Sequence, residues 1–157
     1  MEYHSMKELF AVADVEKCSP GIIACRVEAE ESGKSYEQVW DRMKYTIPVF
    51  REAIRKGLAD TSKSASGLVG GDGSRLFNGN MRFMSPICQK AASYAIATAE
   101  ANAKMYRIVA CPTAGSCGIL PAVLSAVGEE VNASMYDFTC ALFTAGAIGR
   151  VIAEKAS

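Results

Sequence analysis

The 157 residues fit one domain, and half of them are hydrophobic, enough for a sizeable core. Lysine plus arginine and aspartate plus glutamate are equal at 17 each, so net charge is zero and nothing points to nucleic acid or an anionic membrane surface. No apolar run approaches the ~20 residues of a membrane span, and the opening MEYHSMKELF mixes charges from the start, unlike a signal peptide. These features predict a cytoplasmic protein of one helical domain over residues 1–157.

In chain order, the first signal is Ser5 with Glu8, a capping box, followed by Met6, Leu9, Phe10 and Ala13 at helical spacing. Ser19-Pro20 is a cap with proline at the first helical position, and that helix runs through Ile22, Ile23 and Val27 to a stop at Gly33. Ser35 with Gln38 makes a second capping box. From there Tyr36, Val39, Trp40, Met43, Ile47, Phe50, Ile54 and Leu58 trace one apolar face. Pro48 lies within that face and should kink or split the helix.

Residues 61–80, TSKSASGLVGGDGSRLFNGN, hold five glycines and four serines without a sustained period, which predicts a long loop. Loops of that length are uncommon in compact domains and often functional. Its Leu68, Val69, Leu76 and Phe77 suggest that it packs on something. Ser85-Pro86 opens an alanine-rich helix, residues 106–111 read as a short extended piece, and a last helix runs from about Ser134 to Lys155. There is no repeat and no alternation of strands and helices, so the class is all-α.

The six cysteines include no C-x-x-C pair and most lie among small apolar residues, so they read as reduced, structural thiols. The lone histidine, His4, leaves no Cys–His or Ser–His–Asp arrangement. Charge is uneven, with 20 charged residues among the first 60 and 14 among the remaining 97. The second part therefore reads as surface that something covers, and it predicts self-association or a partner.

Chemistry is suggested by two segments. In CPTAGSCGILP, residues 111–121, Pro121 belongs in the first turn of a helix, which puts the helix start near Ser116–Cys117 and a Gly-rich loop, 112–118, ahead of it. Backbone N–H groups converge at such a start and favour a carboxylate or phosphate. In the 61–80 loop, Ser64, Ser66, Gly67, Gly70, Gly71 and Ser74 could form another backbone cradle, with Lys63 either neutralising an anion or simply solvated.

SKSASGLVGGDG at 62–73, CPTAGSCGILPAVLSA at 111–126 and TAGAIGRVIAEKAS at 144–157 resemble the α chain of the iron–sulfur-dependent L-serine dehydratases, or L-serine ammonia-lyases. The resemblance implies conversion of L-serine to pyruvate and ammonia with a four-iron four-sulfur cluster in place of pyridoxal phosphate. It implies that Thr113, Ala114, Gly115 and Ser116 line the substrate pocket, opposite a wall of Ser64, Ser66, Gly67, Gly70 and Gly71. Lys63 would contribute charge or shuttle a proton, and Cys111 and Cys117 would flank the pocket without binding iron. The family's cluster cysteines lie in a Gly- and Cys-rich segment that would follow Ser157, and its Ser-Ser-Ser-His-Thr motif belongs to the β chain or β domain. The sequence is thus expected to be an N-terminal part of the α chain, inactive and cluster-free alone. Its expected partners are L-serine, the C-terminal half of the α chain, the β chain and, as a homo-oligomer, a second copy.

Two other readings stand beside this one. In a pyridoxal phosphate lyase, Lys63 would form the Schiff base and GLVGGDGS would hold the phosphate, although such enzymes need a larger α/β scaffold. In a non-catalytic helical module, the same loops would serve partner docking only.

Overall fold

The computed structural model describes residues 3–111 and 115–156. Those residues form eight helices and no strand: α1 (Met6–Glu16), α2 (Pro20–Ser32), α3 (Tyr36–Lys44), α4 (Thr46–Ala59), α5 (Asp72–Asn78), α6 (Pro86–Ala103), α7 (Ser116–Glu130) and α8 (Met135–Ala156). The all-α class is as expected. No described helix is long and apolar enough to cross a membrane.

Serine caps set most of the starts. The Ser5 hydroxyl accepts the Glu8 N–H, and the Glu8 carboxylate takes the His4 N–H at 2.8 Å, one residue earlier than a capping box would use. Ser35 and Gln38 make both halves of theirs. Ser19 and Ser85 cap the two helices that begin with proline, and Gly33 ends α2 in the left-handed conformation.

The long apolar face of residues 36–58 is divided. α3 stops at Lys44 and α4 starts at Thr46, which places Pro48 third in α4, where the missing N–H costs nothing. Tyr36, Val39, Trp40 and Met43 then join one core and Ile54 and Leu58 another.

The residues 61–80 are not one loop. A seven-residue helix, α5, interrupts them. Its glycine content opposes helix formation, and tertiary contacts override it. The Gln89 amide donates to the carbonyls of Leu76 and Gly79 at 2.7 and 2.6 Å, while Phe77 stacks on Tyr94 with ring centres 5.9 Å apart. Residues 106–111 take no regular structure, since no strand is available to pair with them.

The chain divides into two compact units, Met1–Tyr45 with Ser134–Ser157, and Thr46–Ala133. The first packs α1, α2, α3 and α8 around Leu9, Ile23, Val27 and Phe143. The second packs α4, α5, α6 and α7 around Ile54, Tyr94, Ala122 and Ala126.

Candidate functional site

The segment 62–71 closes on itself. Ser64 is buried; its N–H donates to the Val69 carbonyl at 2.9 Å and its carbonyl accepts the Gly67 N–H at 2.8 Å. The Ser64 hydroxyl accepts the Val69 N–H at 3.5 Å and shares a hydrogen with Ser66 at 3.1 Å. Gly70 lies against the Ser62 carbonyl, where a Cβ would collide, and Gly71 has φ +83° at the entrance to α5. The glycines and serines of this motif thus first shape the loop. Of the expected wall, Ser64, Gly70 and Gly71 are buried, and Ser66 and Gly67 are exposed.

Lys63 and Ser64 border a hollow of about 300 Å³ together with Asp60, Ser62, Lys104 and Tyr106. Asp60 organises it. One carboxylate oxygen accepts from the Ser62 N–H at 2.9 Å and the Ser62 hydroxyl at 2.6 Å. The other accepts the Tyr106 hydroxyl at 3.0 Å and lies 3.3 Å from Lys104 Nζ, which also donates to the Asp60 backbone carbonyl. The Ser62 hydroxyl and amide, then the Tyr106 hydroxyl, hold the Asp60 carboxyl well below its usual range, while Asp60 pushes the Tyr106 phenol up. Lys104 is neutralised by Asp60. No carboxylate among the described residues pairs with Lys63, so these three charged groups leave one positive charge at the hollow.

The second motif lies at a different hollow. Gly115 is the N-cap of α7 and makes no side-chain cap bond. With Cys117, Gly118 and Ile119 it borders a mainly apolar hollow of about 270 Å³, lined on the other side by Ile96 and Asn102 of α6. The helix starts at Ser116, as the sequence predicts, but Pro121 falls in the second turn rather than the first. It therefore cannot donate to the Cys117 carbonyl. Thr113 and Ala114 lie outside the described residues. These two hollows share no lining residue.

Cys111 donates its N–H to Cys117 Sγ at 3.3 Å. Burial, then the neighbouring Cys117 thiol, pushes the Cys111 thiol up to about 11, and burial raises Cys25 and Cys140 as well. An iron–sulfur cluster takes three or four thiolates. Two adjacent cysteines do not meet that need, and no group of three or more Cys, His, Asp or Glu among the described residues could hold a metal. The described residues do not fit such a cluster.

Sequence reasoning missed Asp60, Lys104, Tyr106 and Glu100, which accepts the Asp72 N–H at 2.7 Å. The Asp60-x-Ser62 spacing of an Asx turn could have found the first. The Lys104 and Tyr106 partners lie 44 and 46 residues from Asp60 and leave no local signature.

The family model described as serine dehydratase alpha chain matches residues 19–157, a span that includes both motifs. The chain belongs to that family. It is 35% identical over 158 residues to the probable L-serine dehydratase, alpha chain, of Bacillus subtilis (strain 168), covering 99% of this chain and 52% of that one. It is 30% identical over 133 residues to the L-serine dehydratase, alpha chain, of Peptoniphilus asaccharolyticus, covering 83% and 46%. The chain spans about half the length of these serine dehydratase α chains. No solved structure matches it.

Proposed function

We propose that this chain supplies part of the substrate site of an L-serine ammonia-lyase, an α chain that works with a β chain to convert L-serine to pyruvate and ammonia. The observation that carries the reading is the uncompensated Lys63 ammonium, set by a self-closed loop at the edge of a polar hollow. A serine carboxylate is the anion it would receive. Serine loses its α-proton and its hydroxide, and the resulting aminoacrylate hydrolyses to the two products. The chain's own residues bind and orient in that sequence of events. Lys63 pairs with the carboxylate, and the Asp60–Lys104–Tyr106 cluster holds the wall of the hollow beside it. No base is assigned. The resemblance attaches a four-iron four-sulfur cluster to such enzymes, and the described residues hold no ligand set for it.

The test is pyruvate release from L-serine by the full-length α chain with its β chain, prepared anaerobically with iron and sulfide. Activity that is lost in air and survives carbonyl reagents supports the iron–sulfur lyase over a pyridoxal phosphate enzyme. Absence of pyruvate under every condition overturns the reading and leaves a helical docking module. Within an active enzyme, Lys63→Met should raise the KM for serine by about tenfold, roughly 1.4 kcal/mol of lost binding, with a smaller change in kcat.

A further inference from the structure

α6 is mostly alanine and other small residues, yet it buries a carboxylate. Glu100 is 2% exposed. Its Oε1 accepts the Asp72 N–H at 2.7 Å, from a residue 28 positions away. Its Oε2 is buried and has no hydrogen-bond partner among the described residues. Burying a carboxylate is costly, and leaving one oxygen unsatisfied adds to the cost. Such a group survives on a small-residue helix when what it holds matters.

What it holds is the exit of the 62–71 loop. Asp72 is the first residue of α5, directly after Gly70 and Gly71. The entrance of the loop is tied by Ser62 to Asp60, and its middle by Ser64 to Val69. Lys63 stands between the first two ties. Glu100 itself does not border the hollow.

We propose that Glu100 is a positioning residue, which acts through the Asp72 N–H to fix the 62–71 loop and so keeps Lys63 at the edge of the hollow. The loop half of this stands on geometry alone. The functional half rests on the reading in which Lys63 meets the serine carboxylate.

Two substitutions separate a positioning role from a merely structural one. Glu100→Gln keeps an acceptor for Asp72, while Glu100→Leu fills the space and removes it. Amide hydrogen exchange on the chain should show the Ser64, Val69 and Asp72 amides losing at least tenfold protection in the Leu variant and staying within about threefold in the Gln variant. In the assembled α and β enzyme, the Leu variant should raise the serine KM about tenfold and hold kcat within about threefold, with Gln restoring wild-type KM. A structural role alone would lower the active fraction and leave KM unchanged. If the Leu variant fails to fold, Glu100→Asp, which keeps the carboxyl group but shortens the reach, is judged by the same readouts. Unchanged exchange in the variant that lacks the bond overturns the proposal. Faster exchange with unchanged KM overturns its functional half. A wild-type enzyme that makes no pyruvate removes the lyase reading instead, and the exchange data then decide the loop on their own.

Discussion

Where α4 and α6 pass, Gly57 faces the Ala97 backbone with no side chain between them; where α3 and α8 meet, Trp40 stacks on Phe143 with ring centres 5.9 Å apart. The contrast holds across the two units. The unit of α1, α2, α3 and α8 buries Leu9, Ile23, Val27 and Phe143, and among its described glycines only Gly21, against the Cys140 carbonyl, lies in backbone contact with another helix. In the unit of α4 to α7, Gly57 and Gly73 both abut Ala97, and a Cβ on Gly118 would lie 3.1 Å from the Ala95 carbonyl oxygen. Buried polar side chains follow the same division: Ser64, Ser93, Thr98, Glu100 and Ser125 lie in the second unit and Thr139 in the first. Close backbone approach puts N–H, C=O and short polar groups within reach of one another. Large side chains fill volume and supply stability. The candidate site lies in the unit built the first way.

The sharpest way to break that comparison is Gly57→Val. Its added atoms would occupy the position of the Ala97 carbonyl, so α4 and α6 must separate. Overpacking of this kind costs about 3 kcal/mol or more when backbone is the obstacle. Urea unfolding followed by circular dichroism should record that loss. A loss below about 1 kcal/mol would mean that the helices yield readily and that close approach is not what holds this unit. The matching change in the other unit is Leu9→Ala, at a fully buried position. Cavity formation there should cost about 2–4 kcal/mol. Trp40, the only tryptophan, sits in that unit's core cluster and reports the loss by fluorescence.

A pH series tests the polar side of the contrast. The Asp60 carboxyl is lowered from its ordinary 3.8, so the folded chain favours the carboxylate. That stabilisation is whole above the ordinary value and drains as pH falls toward the folded one. The Tyr106 phenol is raised from 10.0 by the same hydrogen bond, so its share is whole below that value and is lost as pH rises through the folded one. Asp60→Asn should flatten the acid limb of the stability profile and return the phenol toward its ordinary titration, followed by absorbance. An acid limb with the same slope in Asp60→Asn would assign it to other carboxylates. Smaller still is Ser85→Ala, which removes the cap on α6 and should cost about 1 kcal/mol.

The first unit was the more legible in sequence. Capping serines at 5, 19 and 35, Gly33 and the 3.6-residue spacing of large apolar residues are local signals, and each produced the helix it announced. The second unit hid more. α5 has seven residues and is held by Gln89 and Tyr94 from another helix, so its own composition reads as loop. Both motifs were visible, and what organises them was not. Glu100 looks like one acid in an alanine helix until Asp72 is found on its oxygen. Lys104 and Tyr106 converge on Asp60 only in three dimensions. Sequence motifs marked where the chain is unusual, and tertiary partners decide what each residue there is free to do.

The smallest effect is also the one with the opposite sign. Gly146 lies in α8, exposed, without a left-handed φ, and a Cβ added there would meet no neighbouring atom within 4 Å. Gly146→Ala restricts the unfolded chain and adds no collision, so it should stabilise by about 0.5–1 kcal/mol. The same change at Gly73, where a Cβ would lie 2.7 Å from the Ala97 nitrogen, should destabilise. A pair of opposite signs would establish that the glycines of the second unit are spacers and those of α8 are not. If Gly146→Ala is destabilising instead, the face of α8 that carries Gly146 and Gly149 is covered in solution. Repeating the measurement across protein concentration then tests for a second copy, because stability that depends on association rises with concentration.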